Sequence, residues 1–376
     1  MNFDVISARV AKLRALMSEN GMDAFMLFVL ERLNSESCRY ISGFDGSSAA
    51  LLIDARRTLL FTDGRYQTQV SEQSPFTPHI QVGFPIADFV AEAGYASVGF
   101  ESQKLYHGVA LSMFRGVEEK EKRARVPRQT PEWKDASSLI PSLRRTKDAT
   151  EADAIRRAGV IARKAYDTVL EEVKVGMTES EFESRLLSEI KKGGGEKGWT
   201  HDGFIVASGK RSAMCHARPT QKAFEPGDIV TVDFGVTVEG YMCDVTRNFA
   251  LRAADDKALE IDKILREAHA AAAAALRPGV SGKDVDAAAR KVITDAGYGK
   301  NFIHGLGHGL GLEVHESPRL SFLTQDILQA GDVVTIEPGI YIEGWGGLRV
   351  EDDYIITENG AECLTFPGDQ ALRTVG

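Results

Sequence analysis

The sequence predicts two domains, an α/β domain at the N-terminus and an α+β domain in which helices pack on a curved antiparallel sheet. In the first part of the chain, apolar runs of strand length alternate with helical and turn-rich segments, which is typical of an α/β fold. Two long hairpins follow among longer helices, with a glycine-rich segment that carries three histidines between them. A length of 376 residues also fits two domains more readily than one.

The N-terminal domain is predicted to cover residues 1–143. Apolar residues at helical spacing predict an amphipathic helix from Val5 to Asn20. Short apolar runs bounded by turn residues predict buried strands at Ala24–Leu30, Ala49–Asp54, Thr58–Thr62 and Ser97–Phe100. Because this domain contains no cluster of catalytic residue types, we expect the chemistry to lie in the second domain.

The second domain is predicted to cover residues 144–376. Its periodic segments predict helices at Glu151–Val173, Glu179–Lys192 and Asp255–Leu276. Ser281 and Asp284 have the spacing of a capping box, with Asp in place of the usual Glu or Gln, and predict a further helix that ends near Ala296.

The first hairpin is predicted between Ile229 and Arg247, with a tight turn at Val238-Glu239-Gly240. Asp233 and Asp244 are symmetric about this turn, so we expect them to face each other across an antiparallel pair. Directly opposed residues have Cβ atoms roughly 4.5–5.5 Å apart. Two carboxylates at that separation repel each other unless a positive charge lies between them.

The second hairpin repeats this arrangement between Thr335 and Asp352, around the turn Gly344-Trp345-Gly346-Gly347. Glu337 and Glu351 are again symmetric about the turn. Aspartate is depleted in strands and glutamate somewhat less so. Two pairs of carboxylates among apolar strand residues therefore predict a bound cation.

Three histidines, His304, His308 and His315, occur in the segment His304–Glu316, whose apolar residues predict extended structure. Neutral imidazole is a common metal ligand and a proton carrier near neutral pH. Taken alone, each of these acids and histidines could be a solvated strand residue or a hydrogen-bonded turn residue, but the repeated carboxylate pairs around three histidines favour a metal site. Four carboxylates and one histidine form an oxygen-rich ligand set that suits manganese, with cobalt and zinc as alternatives.

Composition argues against several other classes of protein. A net charge of −9 does not suggest a nucleic-acid partner. The chain shows no apolar run of transmembrane length, its first residues lack the features of a signal peptide, and its four cysteines show no Cys-x-x-Cys spacing. Walker and His-Glu-x-x-His motifs are also missing from the sequence. We therefore expect a cytoplasmic protein without a membrane partner.

The order of the five predicted ligands, Asp233, Asp244, His308, Glu337 and Glu351, resembles the dinuclear site of the pita-bread metallopeptidases. The segment His304–Glu316 resembles the signature of their proline-peptidase branch, the aminopeptidases P and prolidases. Ser208–Pro219 is similar to the family segment that supplies an active-site histidine, and Arg145–Glu151 to the entry into the catalytic domain. The resemblance implies a creatinase/prolidase-like α/β domain followed by an α+β pita-bread catalytic domain, two divalent metal ions, a proline-containing peptide substrate and a homodimer.

Carried over position by position, the resemblance implies a role for each ligand. Asp233 would hold one metal from the side, and Asp244 and Glu351 would bridge the two metals. His308 and Glu337 would complete the second metal site.

The resemblance also implies roles for residues around the ligands. His216 and His315 would contact the substrate or stabilise the tetrahedral intermediate, and His304 would line the same pocket. Arg349 would orient the acidic ligands. Tyr241 is a weaker candidate, because an aromatic residue beside a turn is equally compatible with packing. Among the ligands, Glu337 is our candidate for the group that moves a proton from water to the leaving nitrogen.

The predicted reaction is metal-assisted hydrolysis of a peptide bond, which the resemblance narrows to the bond that precedes proline. We expect an Xaa-Pro aminopeptidase, and the alternative is an Xaa-Pro dipeptidase restricted to dipeptides. A dipeptidase needs a group that binds the proline carboxylate, for which Arg218, Arg211 or an arginine of the N-terminal domain could serve. A metal-independent, creatinase-like protein is disfavoured, because such relatives have lost the ligands and all five are present here.

Overall fold

The computed structural model of this chain describes residues 3–81, 83, 85–124, 129–199, 203–368 and 371–376. The chain divides into an N-terminal unit, Met1–Arg144, and a C-terminal unit, Arg145–Gly376. The first unit is an α/β fold and the second an α+β fold, so the predicted fold class is confirmed. None of the helices in the described ranges combines the length and apolar composition needed to cross a membrane.

The N-terminal unit is built on one mixed sheet. Its strands are β1 (Ala24–Leu30), β2 (Ser48–Asp54), β3 (Thr58–Thr62), β4 (Thr77–Ile80), β5 (Ser97–Phe100) and β6 (Glu132–Asp135). They lie in the order β4-β3-β2-β1-β5-β6, with β1 antiparallel to β2 and parallel to β5. The four predicted strands are confirmed, three of them with the predicted bounds.

In the described part of this unit, six α-helices accompany the sheet along the chain, the last of them ending at the boundary between the units. They are α1 (Phe3–Glu19), α2 (Ser35–Ser42), α3 (Gln67–Gln73), α4 (Ile86–Ala93), α5 (His107–Arg123) and α6 (Leu139–Arg145). The predicted amphipathic helix is α1, and it buries Ile6, Val10, Leu13 and Met17 at helical spacing.

The C-terminal unit contains four long helices and two main sheets. The helices are α7 (Ala149–Glu171), α8 (Glu179–Lys192), α9 (Asp256–Ala275) and α10 (Gly282–Asp295). All four lie where the sequence predicts helices. The hydroxyl of Ser281 accepts a hydrogen bond from the backbone N–H of Asp284 at the start of α10, as the cap spacing predicts.

The strands of this unit begin with β7 (Ile205–Ser208), β8 (Ile229–Phe234), β9 (Thr237–Val238), β10 (Tyr241–Met242) and β11 (Val245–Leu251). They continue with β12 (Gly307–Gly309), β13 (Glu316–Leu320), β14 (Val333–Ile336), β15 (Gly339–Ile342), β16 (Gly346–Arg349), β17 (Asp352–Thr357), β18 (Gly360–Cys363) and β19 (Arg373–Val375). One sheet has the order β19-β11-β8-β7 and another the order β13-β12-β14-β17-β18. Helices α7 and α8 share a buried core with β7, β8 and β11, while α9 and α10 share one with β14–β17.

The first hairpin differs from the prediction by two residues in its pairing register. Its turn consists of Glu239 and Gly240, which both have positive φ, at 51° and 80°, as in a two-residue type I′ turn. Asp233 therefore pairs with Thr246 rather than with Asp244, and the expected direct opposition of the two aspartates is wrong. The same register places Asp244 two positions along the facing strand, on the same side of the hairpin as Asp233.

The second hairpin has the predicted register. Ile336 pairs with Asp352 on one side and Gly339 with Arg349 on the other, which places Glu337 opposite Glu351. A bridge between Thr246 and Glu351 joins this hairpin to the first one. The carboxylates of both hairpins are thereby brought to one place in the sheet structure.

The segment His304–Glu316 is extended only in part. Its strand β12 covers three residues, and the register shifts between His308 and Gly309, so the predicted extended structure is confirmed only for part of the segment. The glycines permit close backbone packing, since a Cβ on Gly307 would lie 2.2 Å from the carbonyl oxygen of Thr335. The chain turns after β12, where the N–H of Gly311 donates to the carbonyl of Glu313.

Candidate metal centre

A cavity of about 480 Å³ in the C-terminal unit collects the predicted site residues. Every one of them except Tyr241 lines it, namely Asp233, Asp244, His308, Glu337, Glu351, His216, His304, His315 and Arg349. Two hairpins, the segment around β12 and the loop after β7 supply these side chains. Residues separated by more than a hundred positions in the sequence therefore form one polar, concave surface.

The five predicted ligands converge at the floor of this cavity. Ligand atoms of Asp244, His308 and Glu351 all lie within 4.8 Å of one another. The Nε2 atom of His308 is 3.9 Å from Oδ2 of Asp244 and 3.5 Å from Oε1 of Glu337. Oxygen atoms from carboxylates thus face the imidazole nitrogen from two sides, in an arrangement suited to a divalent cation.

The electrostatics of this cluster favour a bound cation. Burial and the nearby charge of Glu351 raise the pKa of Asp244 well above its usual range, and the same causes raise the pKa of Glu337. Burial and the charge of Asp233 raise the pKa of Glu351 to about 8. The Oδ1 atoms of Asp233 and Asp244 are buried and have no hydrogen-bond partner among the residues that the structure describes. Such unsatisfied oxygens are costly without a cation, so these residues fit a divalent metal site.

His308 is oriented as a neutral ligand. Its Nδ1 lies 3.1 Å from the carbonyl oxygen of Gly309, and because a carbonyl only accepts, we assign the ring proton to Nδ1. The lone pair of Nε2 then points towards the carboxylates. Burial, and next the proximity of His315, lower the pKa of His308 to about 3. The imidazole is therefore uncharged at neutral pH, as a metal ligand must be.

Arg349 fixes two of the acidic ligands, one directly and one through Thr246. Its guanidinium donates to Oδ2 of Asp233 and, at 2.9 Å, to the hydroxyl of Thr246, which in turn donates to Oε2 of Glu351 at 2.6 Å. A third donation, at 2.6 Å, reaches the hydroxyl of Tyr341. One planar guanidinium group thus fixes two carboxylates and a tyrosine at once.

We expect Arg349→Lys to weaken metal binding by about 10- to 100-fold, the usual effect of losing an outer hydrogen-bonding partner. A single ammonium cannot reproduce the fork that contacts Asp233, Thr246 and Tyr341 together. Titration of the metal-free protein with Mn²⁺ against a competing chelator measures this. Arg319→Lys is the matched control, since Arg319 lines the same cavity without a hydrogen bond to a ligand from its side chain. Equal affinity in both variants would contradict the role of Arg349.

His304 forms part of the cavity wall. Its Nδ1 donates to the carbonyl of Gly305 at 2.8 Å, and its Nε2 accepts from the hydroxyl of Tyr341 at 3.1 Å. Burial, and next the charge of Arg349, lower the pKa of His304 to about 4. Because both ring nitrogens are engaged and the ring is neutral, His304 is a fixed wall residue rather than a free base.

The other two histidines are exposed at the cavity. The ring of His315 packs edge-on against that of His308, with 4.3 Å between the ring centroids. Its chain neighbour Glu316 accepts from the buried ammonium of Lys147 at 3.1 Å, which anchors this segment. His216 lies on the loop after β7. Both imidazoles line the cavity.

Two candidates from the sequence lie elsewhere. The hydroxyl of Tyr241 donates to the carboxylate of Glu151 near the start of α7, so its observed contact joins the first hairpin to a helix and not to the cavity. Arg211, considered for binding a substrate carboxylate, is instead paired with the buried Glu179 at 3.1 Å.

Sequence reasoning missed two features of the cavity. Arg319 contributes an exposed guanidinium to its lining, and only its position four residues after His315 could have signalled this. Asp353 accepts a hydrogen bond at 2.9 Å from the backbone N–H of Asp244 and so links the two hairpins. The adjacent acids in the sequence Glu351-Asp352-Asp353 were a signal, but the partners of the second and third could not be predicted without the fold.

Comparisons with known proteins identify relatives of this chain along most of its length. Residues 153–358 match Metallopeptidase family M24, and residues 9–146 match the Creatinase/Prolidase N-terminal domain. The Xaa-Pro dipeptidase of Pyrococcus horikoshii is 34% identical, over 96% of this chain and 98% of that protein.

Solved structures show the same similarity. The Xaa-Pro dipeptidase from Bacillus anthracis is 34% identical and superposes with a TM-score of 0.89, covering 98% of this chain and 100% of that one. The X-Pro aminopeptidase from Thermotoga maritima is also 34% identical, with a TM-score of 0.87 and coverage of 97% and 99%. The pita-bread fold implied by the sequence is thereby confirmed.

Proposed function

The chain belongs to metallopeptidase family M24, and we propose that it is an Xaa-Pro dipeptidase. This choice favours the alternative over the aminopeptidase expected from the sequence. Relatives that match nearly the whole chain at 34–35% identity are named Xaa-Pro dipeptidases. The hydrolysis of a peptide by a metal-dependent enzyme is common to both possibilities.

The observation that carries the proposal is the guanidinium of Arg319. It lines the metal-site cavity, is exposed, and makes no ion pair or side-chain hydrogen bond with any part of the chain that the structure describes. Its charge nevertheless acts on His308, His315 and Glu337, so it lies near the reacting centre. An unpaired cation at that position suits the carboxylate of a C-terminal proline. A longer peptide has no carboxylate there.

Asp233, Asp244, His308, Glu337 and Glu351 would hold two divalent ions, of which manganese is our first candidate. When bound, such a pair supplies an activated water and polarises the scissile carbonyl. The chain itself supplies the fixed geometry: Arg349 and Thr246 lock Asp233 and Glu351, and the Gly309 carbonyl fixes the tautomer of His308.

Proton movement is assigned to Glu337. Its carboxylate lines the cavity, with Oε1 3.5 Å from Nε2 of His308. We propose that it accepts the proton from the attacking water and passes it to the proline nitrogen as the bond breaks. His216 and His315 would donate hydrogen bonds to the substrate carbonyl as negative charge develops, an effect worth roughly 2.7–4 kcal/mol for one such donor.

The deciding experiment compares peptides of two lengths. Chelated protein is reloaded with Mn²⁺ and assayed with alanyl-proline and with alanyl-prolyl-alanine, using release of free alanine as the signal. Cleavage restricted to the dipeptide supports the proposal. Efficient cleavage of the tripeptide would identify an aminopeptidase, and no metal-dependent cleavage of either peptide would refute both.

We expect Arg319→Met to raise KM for alanyl-proline by about 10- to 100-fold, because a hydrogen-bonded charge pair contributes about 1.5–3 kcal/mol. Methionine keeps the length of the side chain and removes the charge. Metal content should not change, since Arg319 pairs with His308 through the backbone and its side chain makes no hydrogen bond to a predicted ligand within the described ranges. Arg218→Met is the matched comparison, because Arg218 is the other arginine of the described cavity lining apart from Arg349. A larger KM effect in Arg218→Met would transfer carboxylate binding to that residue.

A further inference from the structure

Glu179 is a buried carboxylate that accepts hydrogen bonds from both ends of one loop. It is the first residue of α8 and has no exposed surface. Its Oε1 accepts from the backbone N–H and the hydroxyl of Ser208, each at 2.9 Å. Its Oε2 accepts from the backbone N–H of Thr220 at 3.0 Å and from the hydroxyl of Thr220 at 2.7 Å. One side chain therefore joins the first and last residues of the loop 208–220.

Arg211 provides a third attachment inside this loop. Its Nε lies 3.1 Å from each oxygen of Glu179, and its Nη2 donates to the carbonyl of Arg218 at 2.7 Å. The carbonyl of Arg218 lies two residues beyond His216 in the sequence. Glu179 is thus connected, through the guanidinium of Arg211, to the backbone two residues after His216.

The opposite side of the loop is held by the second hairpin. The carbonyl of Cys215, next to His216, accepts from Nη1 of Arg349 at 3.4 Å, and the N–H of Gly347 donates to the hydroxyl of Ser212 at 2.8 Å. The imidazole of His216 itself forms no hydrogen bond within the described chain. Because its ring is not held directly, the position of His216 in the cavity depends on how the loop backbone is fixed.

We propose that Glu179 is a positioning residue for peptide hydrolysis, acting by fixing loop 208–220 and hence the imidazole of His216. The proposal rests on the peptidase function proposed above. Glu179 does not line the cavity and touches no substrate, so its effect on turnover passes through the loop. A purely structural role would lower stability without depending on His216.

Glu179→Gln tests this with little change in volume. The amide replaces one acceptor oxygen by a donor, which then faces N–H or O–H groups of Ser208, Thr220 or Arg211 and leaves them unpaired. Glu181→Gln is the matched control. Glu181 lies two residues later in the same helix, its side chain is 41% exposed, and its carboxylate pairs with Arg185 at 2.8 Å.

The experiment is a double-mutant cycle with the Mn²⁺-loaded enzyme and alanyl-proline. We expect Glu179→Gln to lower kcat by about 10- to 100-fold, since misplacing a reacting group by an ångström can cost that much. In the His216→Ala background the same substitution should change kcat by less than about twofold, because the histidine through which it acts is gone. Metal content should remain that of the wild type, and Glu181→Gln should have no effect.

If Glu179→Gln lowers kcat by the same factor in the wild-type and His216→Ala backgrounds, the proposal is overturned and Glu179 is a structural residue. If Glu179→Gln does not fold, Thr220→Val, which removes one hydroxyl donor from the same carboxylate, replaces it in the cycle. A second readout is independent of activity: the His216 Cε1–H proton resonance, assigned by its loss in His216→Ala, should shift or split in Glu179→Gln and not in Glu181→Gln. An inactive wild type with this shift would refute the peptidase function alone, whereas an active wild type with no shift would refute the positioning role.

Discussion

Asp244→Asn is expected to lower kcat/KM for alanyl-proline by at least about 1,000-fold and, at the same time, to stabilise the metal-free protein. The activity falls because a metal ligand is lost, and metal-ion catalysis contributes several kcal/mol of transition-state stabilisation. The stability rises because Asp244 is buried, carries an Oδ1 atom without a partner, and is repelled by Glu351 and Asp233. An amide of the same shape removes that repulsion.

Stability and activity are therefore measured on the same variant. Differential scanning calorimetry of metal-free samples at pH 8 should show the C-terminal unit melting about 2–8 °C higher in Asp244→Asn, for about 1–2 kcal/mol of relieved repulsion. Asp332→Asn is the matched control. Asp332 is also fully buried, but it lies outside the cavity and is paired with Arg145 at 2.8 Å. That variant should melt lower and keep its metal. A lower melting temperature in metal-free Asp244→Asn would contradict the idea of a strained acidic cluster.

The sequence predicted the ligand set because both hairpins repeat one pattern, with acids at matched distances from a turn. In the second hairpin the symmetry of the acids predicted the right pairing, Glu337 opposite Glu351, although the turn covers residues 343–345 and Gly346 and Gly347 already belong to β16. The turn of the first hairpin was placed one residue too early, because the type I′ geometry of Glu239 and Gly240 is set by their φ angles and Val238 belongs to the strand. A shift of the turn centre by one residue changes the pairing by two residues, which moves Asp244 away from direct opposition to Asp233 but keeps both on the same face.

Interactions between distant segments could not be predicted in the same way. Arg349 was expected to orient acids, but its hydrogen bonds to Thr246 and Asp233 join residues that are 103 and 116 positions apart in the sequence. Glu179 and Arg211 are 32 positions apart and meet only because α8 packs beside β7. Polar helix residues are usually solvated, and the burial of Glu179 in its first turn follows from the loop that folds over it. Arg319 lies in the short strand β13. The pairing of β13 with β12 shifts register beside glycines that pack closely against the neighbouring backbone.

The metal-free protein is expected to lose stability as the pH rises from about 6.5 to about 8. The carboxyl of Glu351 has a folded-state pKa of about 8 against an ordinary value of 4.5, and the pKa values of Asp244 and Glu337 are raised as well. The folded protein thus keeps protons that the unfolded chain has released, and stability falls with pH until the folded groups ionise. Each carboxyl that stays protonated contributes a slope of about 1.4 kcal/mol per pH unit.

Buried histidines produce the opposite slope, but in a lower range. The pKa values of His269, His304 and His308 are lowered from 6.5 to about 4, 4 and 3. The unfolded chain therefore binds more protons than the folded one below pH 6.5, so these histidines make stability rise with pH up to that value and leave it unchanged above. Above pH 6.5 these histidines no longer contribute, so urea unfolding of the metal-free protein between pH 6.5 and 8 should reveal the carboxyl effect. Burial also raises the pKa of Glu101 in the N-terminal unit to about 7, and the Glu351→Gln variant separates the contribution of the metal site from that of Glu101.

Metal binding should reverse this dependence, because ligands must lose their protons to bind a cation, so that affinity increases with pH over the same interval. The difference in unfolding free energy between Mn²⁺-loaded and metal-free protein should then widen from pH 6.5 to pH 8. Glu351→Gln removes one of the titrating groups and should reduce the metal-free slope by about 1.4 kcal/mol per pH unit. If the unfolding free energy of the metal-free protein stays constant or rises across this interval, Asp244, Glu337 and Glu351 are ionised without a cation. A positive charge other than the proposed metals would then have to stabilise these carboxylates.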